Sequence, residues 1–241
     1  MAMRVILISL SFLLCLFLYA QAATLFEDDF KGDLSQWDLI PGNGDIKIVK
    51  DDPPEHGPEV MEASVASGTN CLAYVKNLTF TDGFIEVLWK DMDWTKDSNM
   101  DSDGPIVFRD QNGDFNNCYL IELDQDTGLH IATITGGNEN TPDNAKKPDV
   151  KSTDEWTWIK VRAEGFKFQI KVWDAAEKEP DEWTLEYEDQ TKAWDSGRVG
   201  IRVWSGRAHI AFFRVSDLEG PSVAVEPNGK LAYTWAGLKT R

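Results

Sequence analysis

Three acids at alternate positions, Glu122, Asp124 and Asp126 in the segment ELDQD, point to one face if the chain there is extended. Retaining glycosidases place a carboxylate nucleophile and a proton donor roughly 5 Å apart, a spacing that same-face strand residues can supply. Asp126 stands directly before Thr127-Gly128, a turn pair, so the chain is expected to bend before the third acid joins the row. In GPIVFRD, alternation puts Val107 and Arg109 on one side. If that strand pairs with CYLIELD through the turn between Asp110 and Asn117, Arg109 and Glu122 share a face, either to grip a polar ligand or as a partly exposed ion pair of small stability value. In GRVGIRVW, Val199, Ile201 and Val203 alternate to one side and leave Arg198, Arg202 and Trp204 on the other. An indole face beside a guanidinium fork offers a sugar ring an apolar platform and fixed donors together, against the ordinary alternative that Trp204 packs in the core. The expected ligand-contacting set is therefore Arg109, Glu122, Arg202 and Trp204, with no residue assigned a catalytic role.

Other chemistry is thinner. Asp110, Asn112 and Asp114 open like a calcium loop, but the glycine is Gly113 and Ile121 stands where the closing glutamate belongs, so a hairpin turn accounts for them better. Asp97, Asp101 and Asp103 form a second acidic loop, read as solvated. His56, His130 and His209 complete no metal-ligand spacing, and His130 has no obvious partner in the sequence. There is no Gly-x-Ser-x-Gly elbow and no phosphate loop.

The elements that must position these residues are strands. From residue 24 onward short apolar runs recur between Gly, Asp, Asn and Pro clusters, and long helical periodicity is absent, the pattern of an all-β sandwich. The clearest runs are ATLFEDDF, FIEVLWK, PIVFR, CYLIELD, LHIATI, WTWIKVRA, FKFQIKVW, WTLEYED, GRVGIRVW and AHIAFFRV. Glu164-Gly165 joins two alternating runs and predicts a hairpin that buries Ile159, Val161, Phe168, Ile170 and Val172, with Trp158, Lys160, Arg162, Lys171 and Trp173 on the other face. Residues 41–59, 91–104 and 135–155 read as long polar loops. Cys71 and Cys118 fall in two different strand-like runs and are expected to remain unbridged.

Arg4, the apolar run from Val5 to Tyr19 and Ala20-Gln21-Ala22 read as a signal peptide over residues 1–22, which predicts export and no membrane insertion. Residues 23–220 are expected to form one sandwich and 221–241 a tail. The formal charge of −17 makes nucleic acid and anionic membranes poor partners and suits cations, neutral glycans or simple solubility.

The order GPIVFRDQNGDFNNCYLIELDQDTG, EWTWIKVRAEGFKFQIKVWD, GRVGIRVW and AFFRVSDLE resembles the laminin-G and concanavalin A-like group, and within it the 3-keto-disaccharide hydrolase domains. The resemblance covers roughly residues 24–219 and implies a two-sheet antiparallel jelly-roll sandwich. Where those enzymes tend to show Tyr-Glu-x-Gln, this chain has Tyr119-Leu120-Ile121-Glu122, and ELDQD is similar to the Glu-x-Asp-x-Glu signature of jelly-roll glucanases with Asp126 in the acid/base place. The calcium position of the group implies a structural Ca2+ near Asp28 or Asp29 and, in place of an acid in IAFFRV, Asp217. The function expected is extracellular glycan recognition by a lectin-like sheet. Hydrolysis of a glycoside or 3-keto-glycoside on the same face, and a protein-binding adhesion module, are the alternatives.

Overall fold

The computed structural model describes residues 23–93 and 103–219. The segment read as a signal peptide, the tail and the acidic positions Asp97 and Asp101 lie outside the described residues. The strands are β1 (Thr24–Asp28), β2 (Trp37–Ile40), β3 (Asp45–Lys50), β4 (Glu59–Ser64), β5 (Asn70–Val75), β6 (Gly83–Asp91), β7 (Gly104–Asp110) and β8 (Asn117–Leu123). They continue as β9 (Leu129–Thr135), β10 (Asn138–Asn140), β11 (Lys146–Lys147), β12 (Thr157–Glu164), β13 (Lys167–Asp174), β14 (Leu185–Glu188), β15 (Arg198–Trp204) and β16 (Arg207–Ser216). A 3-10 turn at Asp143–Ala145 is the one helical element among the described residues.

Two antiparallel eight-stranded sheets result. One runs β14-β13-β12-β6-β16-β4-β3 with β1 beside β16, the other β10-β9-β8-β7-β15-β5-β2 with β11 beside β9. Period-2 alternation decides their faces. Ile85, Val87, Ile159, Val161, Phe168 and Ile170 of the first sheet meet Ile106, Phe108, Ile121, Ile131, Val199 and Ile201 of the second in one buried cluster. The predicted hairpin forms, with Trp158 opposite Trp173 and Lys160 opposite Lys171 on the outer face.

The expected loop 41–59 is wrong in part, because β3 lies within it, opposite β4 from Asp45 against Ser64 to Lys50 against Glu59. An edge strand needs only one satisfied side, and DIKIVK exposes Asp45, Lys47 and Lys50, which hides its β character behind polarity. The loop 135–155 likewise holds β10 and β11, which pair with β9 end to end.

Cys71 belongs to the inner cluster and Cys118 to a separate cluster on the outer face of the second sheet. Their strands β5 and β8 are separated by β15 and β7, about 14 Å at ordinary strand spacing. Both are free thiols.

Candidate functional site

On its outer face the second sheet carries Leu72, Tyr74, Val107, Cys118, Leu120, Ala132 and Ile134, and Phe115 packs against them. Beside this apolar strip the same face turns polar. Register builds a row across it: Lys146 lies opposite His130, His130 opposite Glu122, and Glu122 opposite Pro105. Arg202 projects from β15, which pairs with the other edge of β7. Pro105 has no long side chain, so Arg202 reaches over β7 and closes an ion pair with Glu122.

Together these residues floor a cleft of about 590 Å³. Asp114, Phe115 and Asn116 of the β7–β8 turn form one wall, and Gly137, Glu139, Thr141 and Lys146 of the β9–β11 segment form another. Asn70, Asp103 and Trp204 close the remaining side. Trp204 is half-buried and exchanges backbone hydrogen bonds with Asp103, its N–H donating over 2.9 Å and its carbonyl accepting over 3.1 Å. The Arg202 guanidinium lies 5.3 Å from the Trp204 ring and 5.1 Å from that of Phe115, and its Nε donates to Asn70 Oδ1 at 2.7 Å.

The charges in the row hold one another in place. Glu122 is buried, which pushes its carboxyl up, yet the Arg202 charge and the His130 hydrogen bond outweigh this and hold it below the usual carboxylate range. His130 Nδ1 faces the Gly128 carbonyl at 3.1 Å, an oxygen that can only accept, so Nδ1 carries a proton. Its Nε2 stands 2.9 Å from Glu122 Oε2 and 3.6 Å from Glu139 Oε1. Burial lowers the affinity of His130 for its second proton, but the hydrogen bond to Glu122 and the facing Glu139 carboxylate prevail and raise its pKa to about 10. Glu139 is lowered by the facing His130 ring and the Thr141 hydroxyl against the cost of burial. Asp124 accepts from the Thr127 amide at 2.6 Å and from its hydroxyl, fixing the β8–β9 turn.

Arg109 does not join this face. Its φ of +52° breaks the alternation at the end of β7, and the pairing with β15 slips there, between Arg198 and Val199. A Cβ on Gly197 would lie 2.4 Å from the Arg109 carbonyl carbon, so the partner strand needs glycine at the slip. The guanidinium turns inward, 5.4 Å from the Phe168 ring, and donates to Thr81 O at 2.9 and 2.6 Å, to Trp194 O at 3.0 Å and to Asp82 at 3.1 Å. Arg109 is a fully buried peg at the end of the sandwich, and the expectation that it shares a face with Glu122 is corrected by this bulge.

The acid row of ELDQD also stops short. β8 ends at Leu123 and Asp126 is exposed outside the cleft, as the Thr127-Gly128 turn foretold. Asp110 is consumed by its own hairpin, accepting from the Asn112, Gly113 and Phe115 amides and the Tyr74 hydroxyl. The calcium expectation at Asp29 and Asp217 meets a geometric obstacle. β1 pairs with β16 from Thr24 opposite Ser216 to Asp28 opposite Phe213, so the two acids lie beyond opposite ends of that segment, more than about 13 Å apart. Asp29 pairs with Lys31 at 2.6 Å, and Asp217 accepts from the Ala23 amide at 2.9 Å.

Sequence reasoning missed His130, Glu139, Asn70 and Phe115. The signal for His130 was present: a tight turn centred on Asp126 pairs residues whose numbers are equidistant from it, which sets His130 against Glu122. Glu139 had no such signal, because three exposed residues make a strand only by pairing with β9.

No protein-family profile matches the chain. A levanase of Bacillus sp. (strain L7) is 26% identical over 123 residues, 49% of this chain and 12% of the levanase. The chain therefore matches only a small part of that relative's length. Among solved structures, the carbohydrate-binding module CBM66 from Bacillus subtilis superposes with a TM-score of 0.52 at 17% identity, over 76% of this chain and 92% of the module. A xylan β-1,4-xylosidase from Bacillus halodurans C-125 gives 0.54 at 15% identity, over 79% of this chain and 39% of the enzyme. A glycoside hydrolase family 16 endo-glucanase from Bacteroides ovatus gives 0.51 at 12% identity, over 79% and 99%. At these identities the likeness is one of fold: the described residues form a concanavalin A-like jelly-roll sandwich.

Proposed function

We propose that this chain is an extracytoplasmic glycan-binding module, with the ligand seated in the outer-face cleft against Trp204 and the Arg202–Glu122–His130 row. In this reading residues 1–22 are a removed signal peptide, 23–220 the sandwich and 221–241 an appended tail. The observation that carries it is the geometry of the cleft, which sets half-buried Trp204 beside the Arg202–Glu122–His130 row. Glu122 and Glu139 are both held as carboxylates and His130 as a cation. Such groups present constant acceptors and donors to hydroxyls, whereas a glycosidase acid needs a carboxyl whose pKa is raised. Half-buried Trp204 adds the apolar face that a pyranose or furanose ring can cover. The likeness to a carbohydrate-binding module and the short match to a levanase support the same class of ligand. No helix among the described residues is long and apolar enough to cross a membrane.

A glycan array followed by calorimetry tests this. Trp204→Ala is expected to weaken the best array ligand about tenfold or more while leaving the fold intact, since about 50 Å² of apolar contact corresponds to roughly 1.3 kcal/mol. An array without hits, or an unchanged affinity in the variant, overturns the reading. Hydrolysis is the second reading, carried by the five carboxylates of Asp103, Asp114, Glu122, Asp124 and Glu139 that line the cleft. Release of reducing sugar from an array ligand, abolished by Glu122→Gln, would replace binding with catalysis.

A further inference from the structure

Two histidines in this sandwich each meet two carboxylates, and they meet them differently. His209 faces Asp51 through Nδ1 at 2.6 Å and Glu62 through Nε2 at 3.0 Å, one carboxylate for each ring nitrogen. Each nitrogen has a partner of its own. His130 instead turns Nδ1 to the Gly128 carbonyl and offers the single atom Nε2 to both Glu122 Oε2 and Glu139 Oε1. One proton on Nε2 can lie along only one of those directions. Among the described residues this is the one set of three His, Cys, Asp or Glu side chains whose ligand atoms converge within 4.8 Å of one another.

We propose that Glu122, His130 and Glu139 form a binding site for a first-row divalent cation, of which Zn2+ is the best fit. A tetrahedral zinc with bonds of 2.0–2.1 Å sets its ligand atoms about 3.3 Å apart, and the distances of 2.9 and 3.6 Å straddle that value. The nitrogen donor selects against Ca2+, which takes oxygen ligands. When the metal–Nε2 bond forms, the Nε2 proton leaves to solvent and Nδ1–H stays on Gly128 O.

The surroundings are those of a ligand set held from behind. The bond to Gly128 O fixes the His130 ring with Nε2 toward the glutamates, as outer partners of metal-bound histidines do. Arg202 occupies the other Glu122 oxygen, Oε1, and so leaves Oε2 to the cation. Thr141 donates its hydroxyl to Glu139 Oε1 at 2.7 Å and orients that carboxylate. Three protein ligands leave a fourth position toward the cleft, where water or a ligand hydroxyl can coordinate.

The site shares its cleft with the proposed glycan ligand but is tested without one. Metal-stripped whole chain is titrated with ZnCl2 by calorimetry, with CaCl2 as a parallel arm, and Co2+ is followed by the visible bands of a tetrahedral ion. One Zn2+ per chain, weakened at least tenfold by Glu139→Gln and by His130→Asn, is expected, with Ca2+ binding at least tenfold more weakly. Glu139 stands on the cleft wall, so its variant remains informative if His130→Asn fails to fold. No zinc binding, binding indifferent to Glu139→Gln, or a preference for Ca2+ would each overturn the assignment. Glycan calorimetry in EDTA separates the two readings: glycan binding without any zinc binding sinks the metal site alone.

Discussion

His130 should make the stability of this protein fall as the solution turns alkaline, well before lysines titrate. Its folded pKa stands at about 10, against an ordinary value of 6.5, because the Glu122 and Glu139 carboxylates facing its Nε2 outweigh its burial. A raised folded pKa means that the folded chain binds a proton the unfolded chain has released, so the contribution is fully present below pH 6.5 and is lost as pH rises toward 10. At 1.36 kcal/mol per pKa unit the whole shift corresponds to about 5 kcal/mol as a ceiling, with about half of it lost between pH 7 and 9. Urea unfolding in EDTA at pH 6, 7, 8 and 9, on wild type and His130→Gln, isolates the cleft because groups remote from His130 titrate alike in both. The wild type should lose its advantage progressively across that window. Parallel stability curves would refute the reasoning, as would a His130 ring found neutral by nuclear magnetic resonance at pH 8. Glu122 has the opposite sign: its folded carboxyl is depressed, so its contribution is present above the ordinary carboxylate pKa and disappears as pH falls through the folded value.

Arg109→Met should destabilise the fold by about 2 kcal/mol, since a fully buried guanidinium that ties the Thr81 and Trp194 carbonyls together is lost, and should leave glycan affinity within twofold of wild type. Denaturant midpoints and calorimetry check the two halves, and a selective loss of affinity would return Arg109 to the binding face. Cys71 and Cys118 should resist a thiol reagent in the native protein, because burial pushes both thiols up, Cys71 to about 12, and both should react after denaturation. A denatured mature protein without free thiols would contradict the strand placement.

Alternation made the second sheet legible. In β15 the strict period from Val199 to Trp204 correctly separated the core residues from Arg202 and Trp204, because no bulge interrupts that stretch. The same rule failed for Arg109, where a single positive φ reverses the phase and no residue type announces it, since arginine is an unusual occupant of that conformation. β3 was lost for another reason: a short edge strand with Asp45, Lys47 and Lys50 exposed, set in a polar stretch, has the composition of a loop. The acidic wall of the cleft was illegible because Glu139 and Lys146 enter it only through pairing partners in β9, and long-range pairing leaves no local periodic mark. His130 fell between these cases, hidden only because its partner lies across a turn.

The end-to-end arrangement of β10 and β11 on β9 bears on how such a protein can diversify. Glu139, Thr141 and Lys146 reach the cleft from a segment that contributes to the inter-sheet core only through Ala145, and β10 is exposed along its whole length. Exchange of residues 136–147 for a segment of another length or charge would therefore redraw one wall of the cleft while β7, β8, β9 and β15 keep their packing. Loops joined to a rigid scaffold at its periphery tolerate such replacement better than the strands beneath them. Evolution, or a library built in the laboratory, can thus reshape the cleft at this segment with the floor of Glu122, His130 and Arg202 held constant.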